Sequence, residues 1–154
     1  MPIPRSNPER FITGVDGFPN KGTLPTSRLL TGTFNSIDTV VTGTGSLFTT
    51  EMVEGDWLYS TTTNELRQIE GIQDDTILIL GEGFSSNVTG DVVRTCRTLY
   101  RTIMITISGT VTSTIDGKPW QPNEVESLNS NNSIRPIVYD ASGGGQEITF
   151  DVVY

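Results

Sequence analysis

The stretch GTGSLFTTEMVEGDWLYS, residues 43–60, decides how this chain is read. It opens on Gly43-Thr44-Gly45 and closes on Gly55-Asp56-Trp57. Three readings compete for it: a phosphate cradle, a holder of catalytic carboxylates, or a corner that turns one β-strand into another. The first fails on spacing. A dinucleotide fingerprint needs a third Gly three residues on, where this chain has Phe48, and a Walker loop needs a Lys after its last Gly. The second is weak, because Glu51, Glu54 and Asp56 read as a solvated acidic loop before a strand. The third fits. Gly43 and Gly45 permit positive φ. Leu47 and Phe48 turn inward, Met52 or Val53 adds an apolar anchor, and Gly55-Asp56 launches Trp57-Leu58-Tyr59. Trp57 and Tyr59 then share one strand face and Leu58 takes the other.

The rest of the chain agrees with a β reading. The 154 residues include 23 Thr and 16 Gly, and only 34% are hydrophobic. Thr suits a half-buried pleated surface and Gly supplies turns. Candidate strands are 37–42, 56–60, 65–71, 76–80 and 91–96, followed by a second set at 101–115, 134–139 and 147–153. Their spacing is that of small barrels and sandwiches. Ile77-Leu78-Ile79-Leu80 is apolar on both faces and reads as a covered central strand. Asp74-Asp75, Asp116-Gly117 and Asp140–Gly145 read as turns. The best helix candidate, 122–129 (PNEVESLN), is short enough to be a single turn. Five of the eight prolines lie in residues 1–30, together with Ile3, Phe11, Ile12, Phe18 and Leu24. Such a segment forms no strand interior, yet its apolar content is too high for a disordered tail. The expected organisation is all-β: an extended Pro-rich arm (1–30), a small β-barrel module (31–97) and a C-terminal sandwich-like module (98–154).

Composition narrows function. There is no His, which removes the usual general base and every Ser-His-Asp or Cys-His arrangement. Asp74 and Asp75 are adjacent, so they point to opposite faces and make a poor catalytic pair. Lys118 is the sole lysine after Lys21. The single cysteine, Cys96, forms no intrachain disulfide and reads as a small buried apolar side chain near a strand end; with no His beside it, a zinc site is remote. No apolar run reaches membrane-helix length, and residues 1–11 lack the apolar core of a secretory signal. Asn87-Val88-Thr89 matches the glycosylation triplet, a weak signal. The net charge of −8 argues against a nucleic-acid-binding surface. It is unevenly spread: residues 1–30 carry +2 and the remaining 124 carry −10.

The run TGTGSLFTTEMVEGDWLY, then RQIEGIQDDTILIL, then GFSS, resembles a β-barrel module of tailed-bacteriophage virion proteins. The matching positions are Thr42, Gly43, Gly45 and Phe48; Gly55 and Asp56; Ile69, Ile72, Asp75 and Leu78; Phe84 and Ser85. The C-terminal run ITISGTV…DGKPW…PIVYDASG is similar to β-modules of phage head and tail accessory proteins. The resemblance spans residues 31–154 and leaves the arm uncovered. It implies a non-enzymatic structural protein without cofactor or metal, assembled in the host cytoplasm into the virion. It also implies contact with other virion proteins and homo-oligomers, trimers being favoured, with neither nucleic acid nor membrane as partner. The expected role is an auxiliary head protein, a decoration or cement protein or a head-fibre base, anchored through Arg5, Arg10, Phe11, Phe18 and Arg28. A neck, tail-adaptor or baseplate address is the alternative. From another class comes a carbohydrate-binding module, with Trp57, Tyr59, Trp120 and Tyr139 as stacking faces and Trp120 the exposed contact. A peptidoglycan-acting enzyme is the least favoured.

Overall fold

The computed structural model describes residues 9–97, 102–109, 113–115, 118–120, 125–129, 136–142 and 146–153, and the side chains of 10–97, 136–142 and 147–152. The elements in chain order are β1 (Glu9–Ile12), β2 (Lys21–Leu24), β3 (Arg28–Ile37), β4 (Val40–Thr44), α1 (Phe48–Glu51), β5 (Trp57–Ser60), β6 (Glu65–Ile72), β7 (Ile77–Leu80) and β8 (Val88–Cys96). They continue with β9 (Thr102–Gly109), β10 (Ser113–Ile115), β11 (Lys118–Trp120), β12 (Val125–Asn129), β13 (Ile137–Asp140) and β14 (Gln146–Val153). Among the described residues the protein is all-β apart from the single turn of α1.

Two compact units divide the chain. One, Gly22–Arg97 with Pro136–Val138, holds a closed barrel of six antiparallel strands in the order β3-β4-β7-β6-β5-β8, with β8 returning to β3. Closure removes sheet edges wherever pairing is complete. Strand alternation fills its centre: Val41 of β4, Leu58 of β5, Ile69 of β6 and Leu78 and Leu80 of β7 all point inward and are buried. Phe48 of α1 closes the same core. Burying such a ring contributes about 1.5–3 kcal/mol. Ile77 and Ile79 face outward and are only half-buried, so β7 is covered on one face rather than two. Tyr59, Leu66, Cys96 and Val138 form a second cluster on the other face of β5, β6 and β8, with Trp57 packed against it.

The other unit comprises the residues up to Lys21, Thr98–Arg135 and Tyr139–Tyr154. Its main sheet has the order β1-β14-β9-β12, all antiparallel. Ile148, Phe150 and Val152 alternate along β14 and are buried. A second sheet runs β11-β10-β13-β2, and the division between units falls inside β2 and inside β13.

Several expectations need correction. From Glu9 onward the leader is built into the sheets of its own chain as strand. Residues 9–12 form β1 and pair with β14 in the register Glu9↔Val152 to Ile12↔Thr149. Thr13 donates its N–H to the Ile148 carbonyl at 3.1 Å and receives the Ile148 N–H on its hydroxyl at 2.9 Å. Residues 21–24 and 28–30 are strand as well. Prolines at 19 and 25 sit between strands, where their missing donors cost nothing to a ladder. The division into 1–30, 31–97 and 98–154 is thus replaced, because the leader is shared between the two units. Segment 37–42 is not one strand: Asp38 (φ 54°) and Thr39 turn β3 into β4. Val125–Asn129 is a strand paired with β9 instead of a helical turn.

Candidate functional site

The 43–60 corner was the strongest functional candidate, and its geometry can be followed atom by atom. Gly45 has φ 64°, as a direction change requires. Gly43 serves differently. It has no positive φ; instead a Cβ there would lie 1.9 Å from Ser46 Oγ and 2.8 Å from Phe48 Cζ. The missing side chain lets the corner fold back on its own strand. Ser46 donates its hydroxyl to the Asp75 carbonyl at 2.6 Å.

The three carboxylates that shape this corner act as braces. Asp75, from the β6–β7 turn, accepts the Thr49 N–H at 3.0 Å and the Thr49 hydroxyl, so a distant turn caps α1. Glu51 accepts the Thr31 N–H at 2.9 Å and the Thr31 hydroxyl at 2.7 Å. These bonds, the backbone one first, hold its carboxyl below the ordinary value, and Arg28 adds a smaller pull. Asp56 is buried; its Oδ2 accepts the Val53 N–H at 3.0 Å, and Arg97 grips both oxygens at 2.7 and 3.0 Å. That two-point hydrogen bond, then the charge attraction, raises Arg97. Asp74 turns back on Thr76, whose N–H and hydroxyl reach one oxygen at 2.7 and 2.8 Å.

Each of these acids is committed to hydrogen bonds within the unit, and the N–H groups of Thr49 and Val53 are spent on Asp75 and Asp56. The corner is therefore built to be rigid. Leu47 and Val53 are exposed, so the inward anchors are Phe48 and Met52.

One buried carboxylate escaped sequence reasoning. Asp91 of β8 takes Ser60 Oγ at 3.0 Å, the Thr61 hydroxyl, the Thr62 N–H at 3.1 Å and the Val92 N–H at 2.8 Å. Burial pushes its carboxyl up, but the hydrogen bonds together outweigh that and leave it below the ordinary value. The signal was the run Ser60–Asn64, five hydrogen-bonding residues that need an acceptor; nothing local says that residue 91 supplies it.

The expected partner-binding residues are mostly engaged within the chain. Arg10 pairs with Asp151 at 2.7 Å. Phe11 lies 5.2 Å from Phe18, which stacks on Tyr139 at 5.4 Å and meets Phe150 edge-on at 6.2 Å, distances between ring centroids. Arg28 donates to the Glu51 carbonyl at 3.2 Å. Arg5 lies outside the described residues. Of the candidate stacking faces, Tyr59 and Tyr139 are buried and Trp57 is half-buried. Trp120 ends β11, and its side chain lies outside the described residues. Among the described residues no group of three or more His, Cys, Asp or Glu side chains is placed to hold a metal ion, and no helix is long and apolar enough to cross a membrane.

One concavity does open beside the corner. A cavity of about 480 Å³ is lined by residues 28–30 of β3, Thr50–Val53 and Arg97. Sequence reasoning did not find it, because it joins three segments. No protein-family model matches this chain, and no curated protein or solved structure matches it.

Proposed function

We propose that this chain is a non-enzymatic structural protein of a tailed-bacteriophage virion, an auxiliary head protein of the decoration, cement or fibre-base kind that works as a homo-oligomer. One observation supports the reading beyond the resemblance itself. At the corner that carries the resemblance, Glu51, Asp56 and Asp75 are all committed to bracing main chain and Arg97. A corner stiffened in this way suits a protein selected for shape. Arg10 and Arg28 are exposed and keep the expected anchoring role, whereas Phe11 and Phe18 stack within the chain. Exposed aliphatics of the barrel such as Leu29, Ile37 and Val53 are also placed for contact with a neighbour. A neck, tail-adaptor or baseplate address belongs to the same class.

Mass spectrometry of purified virions of the phage that encodes the chain tests this. The chain is expected in intact particles at a fixed stoichiometry, and fractionation into heads and tails gives the address. Light scattering of the purified chain is expected to give three times its 16.8 kDa mass. Its absence from particles, with abundance in the lysate, overturns the proposal.

A further inference from the structure

We infer that the cavity between the start of β3 and the α1–β5 loop is a docking site for an extended acidic peptide segment of a partner, with Arg28 and Arg97 receiving its carboxylates and Leu29 and Val53 its aliphatic side chains.

Three features on this one unit lead there. The first is an open strand side. β3 pairs with β8 from Arg28 onward, but β4 joins β3 only at Thr33. Gly32 lies against the backbone of Thr44–Ser46, so the side of β3 left without a neighbouring strand among the described residues is that of residues 28–31. Glu51 covers this edge at Thr31 with its carboxylate, and the cavity lies alongside at Arg28–Leu30. An open strand side is where an extended peptide docks.

The second feature is unspent donors. Arg97 holds Asp56 through Nε and Nη2, and Arg28 uses one Nη2 hydrogen bond to the Glu51 carbonyl. Nη1 of each has no partner among the described residues. Glu51 is the one carboxylate among the lining residues, and both of its oxygens already accept from Thr31.

The third is charge distribution. The barrel unit has four arginines against ten carboxylates. Three of the four, Arg28, Arg94 and Arg97, gather at the end where β3 begins and β8 finishes, since Arg28 pairs with Thr95 and Leu29 with Arg94. Arg67 is held elsewhere by Glu65. An acidic segment is repelled by most of this unit and admitted here. Leu29 and Val53, 57% and 53% exposed, supply the apolar part of the recognition.

The inference does not rest on the virion reading, because it is tested on the isolated full chain. The uniformly ¹⁵N-labelled protein is titrated with the blocked peptide acetyl-Val-Glu-Val-Asp-Val-amide, and separately with its Gln/Asn counterpart, while amide shifts are followed. Saturable shifts at Leu29–Thr31 and Met52–Val53 are expected with the acidic peptide and much smaller ones with the neutral peptide. Arg28→Gln is expected to weaken binding about fivefold, the scale of one exposed ion pair. Leu29→Ser weakens it as well, whereas Ile37→Ser, at the far end of β3, leaves it unchanged. Spectra of the unliganded variants verify their fold. Absence of shifts at millimolar peptide, equal shifts from the neutral peptide, or indifference to Arg28→Gln overturns the inference.

Discussion

The Glu51 carboxylate stands beside Thr31 where a neighbouring strand would otherwise lie, accepting its N–H at 2.9 Å and its hydroxyl at 2.7 Å. One side chain thus blunts the stretch of β3 that β4 leaves open. The arrangement also explains why α1 is placed as it is: its last residue must reach back to the barrel wall.

Acid is expected to release this brace. The Glu51 carboxyl is held below its ordinary value of about 4.5, chiefly by the Thr31 N–H. A depressed folded value means the contribution is complete above the ordinary value and is lost as pH falls through the lower, folded one. The protection factor of the Thr31 amide, its exchange rate relative to the intrinsic rate at the same pH, should therefore fall on acidification and should already be low in Glu51→Ala. Unchanged Thr31 protection in that variant would show that the edge is closed by something else.

Asp56 and Arg97 offer a second check. Asp56→Ala removes the acceptor of the Val53 N–H and should cost about 1–2 kcal/mol in urea unfolding. Arg97 is half exposed, so solvent screens the pair, and the coupling from the double-mutant cycle should be about 1 kcal/mol or less. A coupling of zero would mean that Asp56 acts through the loop alone.

Two glycines should behave oppositely although neither has positive φ. Gly43→Ala places a methyl against Ser46 and Phe48 and should destabilise by about 1–3 kcal/mol. At Gly71 a Cβ meets nothing within 4 Å, so Gly71→Ala should stay within about 0.5 kcal/mol of wild type. Thermal denaturation of both variants reads the difference directly. Similar losses at the two sites would refute the packing account of Gly43.

Cys96 should be inert while the protein is folded. Burial pushes its thiol from 9.0 up to about 11, with the Thr23 hydroxyl and Arg94 pulling weakly the other way. Thiol reagents should label it slowly at pH 8 and quickly in denaturant. The linkage has a definite sign: the native state prefers the protonated thiol, so stability is intact below pH 9 and declines between pH 9 and 11, by at most about 2–3 kcal/mol. Rapid labelling without denaturant would place Cys96 at the surface.

Much of the barrel was legible in the chain itself. Alternation carries one bit per residue, and that bit put Leu58 opposite Trp57 and Tyr59; the corner turned Phe48 inward, although it promised the same of Leu47 and left Met52 and Val53 as alternatives. Alternation failed where local chemistry was silent or misleading. Gly32 and the prolines hid the ten-residue β3, and an apolar run promised two covered faces for β7 when one was available.

Amino-acid order alone thus determined that this is a β protein with a sharp, glycine-dependent corner, because period-two patterning and backbone permissiveness are local properties. Only the tertiary structure decided which strands meet. Pairing Glu9 with Val152, capping α1 with Asp75, giving Asp91 to the Ser60–Thr62 turn and bringing Arg28 beside Arg97 all join residues far apart along the chain. Such contacts depend on closing long loops and on which hydrogen-bonding partner is left over when the barrel shuts, and neither quantity is written in any single segment.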